Sequence, residues 1–206
     1  MAFSRYKDIG QVQEEYGIRL QRRTFIPAET VEPSESFTRE FELTIEIIPV
    51  FSEGSRTQML ISPILREVYK DYHQSFTLWI EKSLTYNTKL SGTPDYLLAI
   101  RSPLGKTVFT KPLVAMVEAK KNDFDYGWGQ CLAELVAAQK INGDENFAVY
   151  GIVTDGETWQ FGKLEKDLFT QNTSGFLTSD LPKLFGALHF VFRTTQTALA
   201  TSPLRP

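Results

Sequence analysis

The sequence predicts an α/β protein, with a mixed β-sheet at its core and helices on both faces of the sheet. Apolar residues recur at helical spacing in some segments and alternate with polar residues in others, which is typical of amphipathic helices and half-buried strands. A predicted helix also links two central apolar strands, as a right-handed crossover between parallel strands does. The coarse order of elements is α, α, β, β, β, α, β, β, α.

The composition is typical of a globular chain. Of 206 residues, 42% are hydrophobic, 23% charged and 13% aromatic, which excludes disordered, collagen-like and coiled-coil classes. Cys131 is the only cysteine, so neither an intrachain disulfide nor a multi-cysteine zinc site can form. The sequence has no transmembrane-length apolar run and no secretory signal, and we therefore expect a cytoplasmic protein. A net charge of -3 argues against a constitutive, non-specific nucleic-acid binder.

The N-terminal region reads as one short helix followed by a linker. Residues 7–16 place Ile9, Val12 and Tyr16 on one helical face. Residues 24–36 contain two prolines and several Ser, Thr and Glu residues, which is typical of a loop.

This linker suggests a division of the chain. We expect an N-terminal arm over residues 1–33 and a single α/β domain over residues 34–206. Residues 37–48 fit a helix and a strand equally well; we favour a helix, because a strong helical pattern follows over 52–72.

A run of strands is predicted in the middle of the chain. Residues 76–80 alternate as a half-buried strand does, and residues 94–101 are also β-like. Residues 113–119 are nearly all apolar, as in a central strand. Helical spacing of apolar residues then resumes over 127–141.

Two further strands and a last helix complete the plan. Strands over 147–153 and 158–163 flank a glycine-containing turn. The last helix covers 180–198, with Asp180 as its N-cap. This helix has more apolar surface than one face requires, in Leu181, Leu184, Phe185, Leu188, Phe190, Val191 and Phe192. Such a helix is buried on more than one side, either in its own core or at the interface of a homodimer.

Polar side chains of opposite charge are brought together by this plan. Asp95 opens one predicted strand, and Glu118 and Lys120 end the next. Alternation along a strand puts Glu118 and Lys120 on the same face. A hairpin between the two strands would bring Asp95 beside that face. Gln130 lies in the first turns of the helix that follows.

This grouping suits the hydrolysis of a phosphodiester. Asp95 and Glu118 could hold a hard cation such as Mg²⁺, which would polarise the substrate and acidify a bound water. Lys120 would bond that water or stabilise the charge of the transition state. The alternative is a solvated ion pair at a strand end. We favour the functional interpretation, because the triplet 118–120 ends the most apolar strand, where an ionised pair needs a reason to exist.

Four sequence blocks now suggest a family. GTPDYLLAI, LVAMVEAKK, GWGQCLAEL and YGIVTDGETWQF occur in this order. Together they resemble the PD-(D/E)xK nuclease superfamily, and in particular a stand-alone version of the N-terminal nuclease domain of type I restriction subunits. The resemblance covers residues 52–163. It implies a restriction-endonuclease-like fold and Mg²⁺-dependent hydrolysis of phosphodiesters, with Mn²⁺ as a substitute.

The resemblance also implies roles for particular residues. The catalytic set is a core of Asp95, Glu118 and Lys120 with two supporting residues, Glu53 and Gln130. In this resemblance the segment SEGSRTQMLISPIL supplies the glutamate of the first motif, and that glutamate is Glu53. Asp95 and Glu118, together with Ala119, would hold the metal.

Other interpretations of these acids and amides stay open. Glu53 could be an ordinary acid of a first helical turn, and Glu67, in the same predicted helix, is its rival for the first motif. Asp123 and Asp125 could extend the metal site, although acids at a helix start are the more ordinary interpretation. Gln130 could equally be a plain amide on a helix surface.

We therefore expect a Mg²⁺-dependent nuclease whose partner is nucleic acid, with DNA as the expected substrate and no membrane association. Cutting both strands of a duplex requires two active sites, for which a symmetric homodimer is the commonest solution. The alternative is a non-catalytic binding or assembly module with the same fold, which the acidic net charge and the missing motor segment favour. A third possibility, an unrelated α/β protein, requires Asp95 and Lys120 to be far apart.

Overall fold

The structure, a computed structural model, describes residues 2–120 and 123–201 of the chain. The fold is α/β, as predicted: a mixed sheet of eight strands has helices packed against both of its faces. None of the helices in this part of the chain combines the length and the apolar character that crossing a bilayer requires.

The described residues form six α-helices. These are α1 (Ile9–Tyr16), α2 (Glu35–Ile47), α3 (Glu53–Arg56), α4 (Ser62–Tyr69), α5 (Phe124–Asn142) and α6 (Leu181–Thr201). A single π-helical turn joins α3 to α4, so the helix predicted over 52–72 is continuous but not uniform. The ambiguous segment 37–48 is helical and lies almost entirely within α2, which confirms the favoured interpretation.

Ten strands are present in the same residues. They are β1 (Arg19–Arg22), β2 (Phe76–Ile80), β3 (Leu84–Thr85), β4 (Ser91–Gly92), β5 (Tyr96–Ile100), β6 (Leu113–Ala119), β7 (Val149–Thr154), β8 (Thr158–Glu165), β9 (Leu168–Gln171) and β10 (Phe176–Leu177). The main sheet has the order β1-β9-β8-β7-β6-β5-β2, with β10 paired to β8, and β3 and β4 form a separate hairpin. The central strands β6 and β7 are parallel and are linked by α5, as predicted.

The core divides into two halves because successive residues of β6 face opposite sides of the sheet. On one side, Ala115 and Val117 belong to the same apolar cluster as helices α2, α4 and α6. On the other side, Met116 lies in a cluster with α1 and α5. Residues Glu118 and Lys120 continue the alternation of Met116, so both belong to the side that α5 covers.

The N-terminal region is built into the same sheet and core. Strand β1 pairs in parallel with β9 at one edge of the sheet, and Phe3, Tyr6 and Val12 are buried beside α5. No sequence pattern marks β1, because all four of its residues are exposed and the strand therefore lacks the alternation of a half-buried one.

The apolar surface of α6 is used inside the chain. Leu184, Phe185, Leu188, Val191 and Phe192 are all buried in the core. The chain's own packing therefore accounts for the helix, and α6 gives no support for a dimer interface. The homodimer stays a prediction.

Candidate active site

The candidate site lies where strands β5 and β6 reach their shared end. Tyr96 of β5 pairs with Val117 of β6, so the next residues outward are Asp95 and Glu118. An Asp95 carboxylate oxygen, Oδ2, accepts the backbone N–H of Ala119 at 2.7 Å. The two predicted strands thus form the antiparallel pair that brings Asp95 to the end of β6.

Glu118 is the most deeply buried of the charged residues predicted for the site, with 3% of its surface exposed. Its Oε1 accepts the ammonium of Lys120 at 2.9 Å, whereas its Oε2 has no hydrogen-bond partner among the residues that the structure describes. Burial, and then the negative charge of Asp95, raise the pKa of Glu118 to about 7. A buried carboxylate with an oxygen that lacks a donor is costly, and a cation would stabilise it.

Lys120 supplies the positive charge of the site. Its side chain is 15% exposed, and its Nζ lies 2.9 Å from Glu118 and 4.0 Å from Oε1 of Glu53. Burial opposes the charged ammonium, but attraction to Glu118, and then to Glu53 and Asp95, outweighs it and raises the pKa of Lys120. The backbone N–H of Lys120 donates to the carbonyl of Thr154 at 2.8 Å, which fixes the residue at the end of β6.

Glu53 is closer to this group than its rival Glu67. Glu53 is the first residue of α3, is about half exposed and faces the ammonium of Lys120. Glu67 accepts the hydroxyl of Ser34 at 2.6 Å and pairs with Lys70, and Ser34 caps α2. The geometry therefore favours Glu53 as the first-motif acid and gives Glu67 a structural role.

Helix α5 contributes a residue that sequence reasoning missed. Glu134 is 1% exposed, and its carboxyl group lies near enough to that of Glu118 for their negative charges to repel one another. Burial, and then the charges of Glu118 and Asp95, raise the pKa of Glu134 well above its ordinary value. The signal in the sequence was an acid inside the apolar helical run CLAELVAA.

Gln130 lies on the same face of α5, one turn before Glu134. Its Oε1 is buried, and none of the described residues donates a hydrogen bond to it. This oxygen therefore does not fit the alternative of a plain surface amide, since such a group would be solvated. An amide with an unsatisfied buried oxygen beside a carboxyl pair is available to a ligand or an ordered water.

Two glycines let α5 approach its neighbours closely. A Cβ on Gly127 would stand 2.6 Å from Val153 and 3.1 Å from the stem of Lys120. A Cβ on Gly129 would stand 2.7 Å from the backbone nitrogen of Asp8 and 2.8 Å from the carbonyl of Tyr6. Gly127 therefore lets α5 pack closely against the strand ends at the site. Gly129 lets the N-terminal segment pack closely against α5.

The remaining candidates have structural roles. Asp123 is the N-cap of α5 and accepts the backbone N–H of Tyr126 at 3.0 Å, while Asp125 is an exposed residue of the first turn. Both match the interpretation as acids of a helix start. Cys131 is fully buried, and burial raises the pKa of its thiol well above the ordinary value, so it is unsuited to act as a nucleophile.

The donor set fits a hard divalent cation. Within residues 2–120 and 123–201, no three His, Cys, Asp or Glu side chains form a ready-made metal cage. Mg²⁺ does not require one, because it is usually held by one or two carboxylates and keeps several waters. Asp95 and Glu118 offer such oxygens, and in the part of the chain that the structure describes Oε2 of Glu118 has no donor to lose. Ala119 contributes the backbone N–H that holds Asp95, and its place among the residues that hold the metal stays a prediction.

Comparison with known proteins adds no family to this picture. No protein-family model matches the chain, and no curated protein is significantly similar to it.

Proposed function

We propose that this protein is a divalent-cation-dependent nuclease of the PD-(D/E)xK type, which hydrolyses phosphodiester bonds of nucleic acid. One observation carries the proposal: Asp95, Glu118 and Lys120 converge at the end of the β5–β6 pair, and the buried Oε2 of Glu118 accepts no hydrogen bond from residues 2–120 or 123–201. The order of the four sequence blocks supports the same function.

The charge balance of the site also supports cation binding. One ammonium, that of Lys120, faces four carboxyl groups, those of Glu53, Asp95, Glu118 and Glu134. Neighbouring like charges in a partly buried place destabilise one another. A divalent cation would relieve this repulsion, so the site gains stability on binding one.

The chemistry follows from the positions of the side chains. When bound, Mg²⁺ or Mn²⁺ supplies a Lewis acid for the phosphoryl oxygen and lowers the pKa of a bound water. Asp95 and Glu118 would hold that cation, with Asp95 oriented by the N–H of Ala119. The ammonium of Lys120 would hydrogen-bond the attacking water and stabilise negative charge on the phosphoryl group in the transition state.

DNA is the substrate that we propose, on the strength of the resemblance. With a net charge of -3, the chain lacks the general basic excess of a tight non-specific binder. The substrate must therefore be attracted locally, through the cation and Lys120. A further expectation is that cleavage weakens only gently as salt is added, because few phosphate contacts release few counterions.

A cleavage assay tests the proposal directly. Purified protein is incubated with plasmid, single-stranded DNA and single-stranded RNA, in Mg²⁺ or Mn²⁺ and in EDTA. We expect cation-dependent cleavage that disappears in Lys120→Ala and persists in Lys89→Ala, which removes an exposed lysine that pairs with Glu15. Cleavage that is equal in wild type and Lys120→Ala would identify a contaminating nuclease and contradict the assignment.

A non-catalytic binding or assembly module is the second candidate, and the acidic net charge favours it. Titration calorimetry with Mg²⁺ and Mn²⁺ separates the two functions. Cation binding at millimolar concentration that is lost in Asp95→Asn supports the nuclease. A folded protein that binds neither cation supports the binding module.

A further inference from the structure

A second lysine lies beside the candidate active site. The ammonium nitrogen of Lys7 stands 4.4 Å from the centre of the Tyr126 ring, and that of Lys120 stands 5.8 Å from the same point. Both distances are within the reach of a cation–π attraction. Because they are measured to one ring centre, the two nitrogens lie no more than about 10 Å apart. The N-terminal segment thus brings a positive charge to the edge of the site.

The position of Lys7 is fixed by its neighbours. Its backbone N–H donates to the side-chain oxygen of Gln11 at 2.9 Å, and its Nζ donates to the carbonyl of Ser4 at 2.9 Å. The hydroxyl of Tyr126 donates to the same carbonyl at 3.1 Å. A Cβ on Gly129 would stand 2.7 to 2.8 Å from backbone atoms of the residues on either side of Lys7. The segment therefore lies directly against α5, and the ammonium has a defined place beside that helix.

The charge of Lys7 is available to a ligand. The residue is exposed, and it forms no ion pair with any residue that the structure describes. The carboxylate of its neighbour Asp8 caps α1 by accepting the backbone N–H of Gln11 at 3.0 Å. Lys89, in contrast, is paired with Glu15 at 2.8 Å. A lysine that is held in place but is not neutralised suits the binding of an anion.

We propose that Lys7 is a substrate-binding residue, whose ammonium holds a backbone phosphate of the DNA close to the phosphate under attack. This inference rests on the proposed function, because it places Lys7 on the same substrate as Lys120. Phosphates of one strand follow one another by about 3.4 Å along the axis of a duplex, so the span between the two lysines covers at most about three nucleotides. A contact of this kind positions the strand and reads no base.

The charge of the chain makes such a contact important. The net charge is -3, so the substrate finds few positive groups, and each phosphate contact then supplies a large share of the affinity. Lys120 is already paired with Glu118 at 2.9 Å, whereas Lys7 has its full charge to offer. Lys7 therefore governs how tightly the substrate binds, and Lys120 governs how fast it reacts.

Steady-state kinetics on duplex DNA in Mg²⁺ test this division. Lys7→Gln removes the charge, and Lys7→Arg keeps it. Lys106→Gln is the matched control, because Lys106 is an exposed lysine between β5 and β6, at the end of these strands that is remote from the site. We expect Lys7→Gln to raise KM by about 2- to 5-fold, as is typical for the loss of one exposed ion pair, with kcat unchanged. Lys7→Arg should recover most of this loss, and Lys106→Gln should match wild type.

A merely structural lysine would give a different result. If the ammonium of Lys7 serves only to tie Ser4 to Tyr126, Lys7→Gln lowers the melting temperature and leaves KM at the wild-type value. That result would overturn the proposal, as would a KM that Lys106→Gln raises as much as Lys7→Gln does.

A binding measurement separates this proposal from the proposed function. Labelled duplex DNA is titrated in Mg²⁺ at several salt concentrations, with Lys120→Ala in every protein so that cleavage does not interfere. Loss of one phosphate contact predicts that Lys7→Gln reduces the slope of log K against log salt by about 1, whereas Lys106→Gln leaves the slope unchanged.

The outcomes of the binding measurement are distinct. An unchanged slope in Lys7→Gln overturns the role of Lys7, even if the wild-type protein cuts DNA, and a protein that binds no DNA overturns it as well. A reduced slope in a protein whose wild type cuts nothing contradicts the proposed function, and it leaves Lys7 established as a contact to nucleic acid.

Discussion

Two glutamates of this chain, Glu15 and Glu118, each pair with a lysine in opposite surroundings. Oε2 of Glu15 meets Arg5 at 2.7 Å and the hydroxyl of Tyr6 at 2.9 Å, and its Oε1 meets Lys89 at 2.8 Å. The hydrogen bond from Lys89 is the largest cause that lowers the pKa of Glu15. This cluster links the N-terminal segment to the hairpin of β3 and β4, and it therefore stabilises the folded chain.

The Glu118 cluster has the reverse balance. One ammonium faces several carboxyl groups, and burial followed by the charge of Asp95 raises the pKa of Glu118 to about 7. In the metal-free chain such a group costs stability instead of adding to it. The two clusters differ in what balances the charge of the carboxylates. In the Glu15 cluster two cations of the chain neutralise one carboxylate, so the cluster stabilises the fold. In the Glu118 cluster the buried carboxyl groups outnumber the cations, which is an arrangement that a bound cation would stabilise.

Cleavage should separate the two glutamates most strongly. Glu118→Gln should lower Mg²⁺-dependent cleavage by about 10²- to 10³-fold, the range typical when one stabilising group of a transition state is removed. Glu15→Gln should cleave as wild type does. Single-turnover rates on plasmid DNA measure both, and equal losses in the two variants would erase the distinction.

Thermal stability should rank the two variants in the reverse order, with Glu15→Gln as the more damaging substitution. The folded-state pKa of Glu118 lies above its ordinary value of 4.5, so the unfolded chain gives up this proton more easily and stability falls as pH rises toward 7. At pH 8 in EDTA, Glu118→Gln should therefore keep or raise the melting temperature. Glu15→Gln should lower it, because Arg5 and Lys89 lose their anion. Melting curves that rank the variants the other way would refute the comparison.

Gly129 joins the two clusters, since it lets the N-terminal segment pack on α5. A methyl group there would meet backbone atoms of Asp8 and Tyr6 at 2.7 to 2.8 Å. Gly129→Ala should cost about 1–3 kcal/mol of unfolding free energy, as overpacking does. Gly54→Ala is the control, because its new methyl would meet only Ser52 at 3.9 Å. Urea denaturation measures both, and equal midpoints would show that the segment can move aside.

The smallest effect concerns His189, a buried group outside both clusters. Its Nδ1 is hydrogen-bonded to the hydroxyl of Tyr72 at 2.9 Å. Burial is the main cause that lowers the pKa of His189 below 6.5. The unfolded chain then binds more protons below pH 6.5, so stability falls as pH falls from there toward the folded-state value. His189→Asn should remove this contribution, so that the stability of the variant falls less between pH 6.5 and lower pH. Melting temperatures at pH 5.5 and 8 test it, and parallel curves would contradict the shift.

The sequence predicted those parts of the site that depend on local geometry. Strand alternation placed Glu118 and Lys120 on one face, and a hairpin between neighbouring strands brought Asp95 to them. The helical interpretation of residues 37–48 was also correct: nearly all of them lie in α2, whose Phe37 and Phe41 are buried one turn apart.

What the sequence could not predict depends on distant packing. All four residues of β1 are exposed, and the strand pairs with β9, about 150 residues away in the chain, so no local pattern marks it. That Glu134 lies near Glu118 follows only once α5 is laid across β6. Helical periodicity assigns a residue to a face, but it does not say which strand residue that face will meet.

The most direct test of the central claim is a crystal structure of the protein soaked in Mn²⁺, with the ion located by its anomalous scattering. We predict one ion bound by carboxylate oxygens of Asp95 and Glu118, with the ammonium of Lys120 beside it and waters completing the shell. Diffraction data that show no ion at these two carboxylates, at millimolar Mn²⁺ and with Lys120 still bonded to Glu118, would contradict the account.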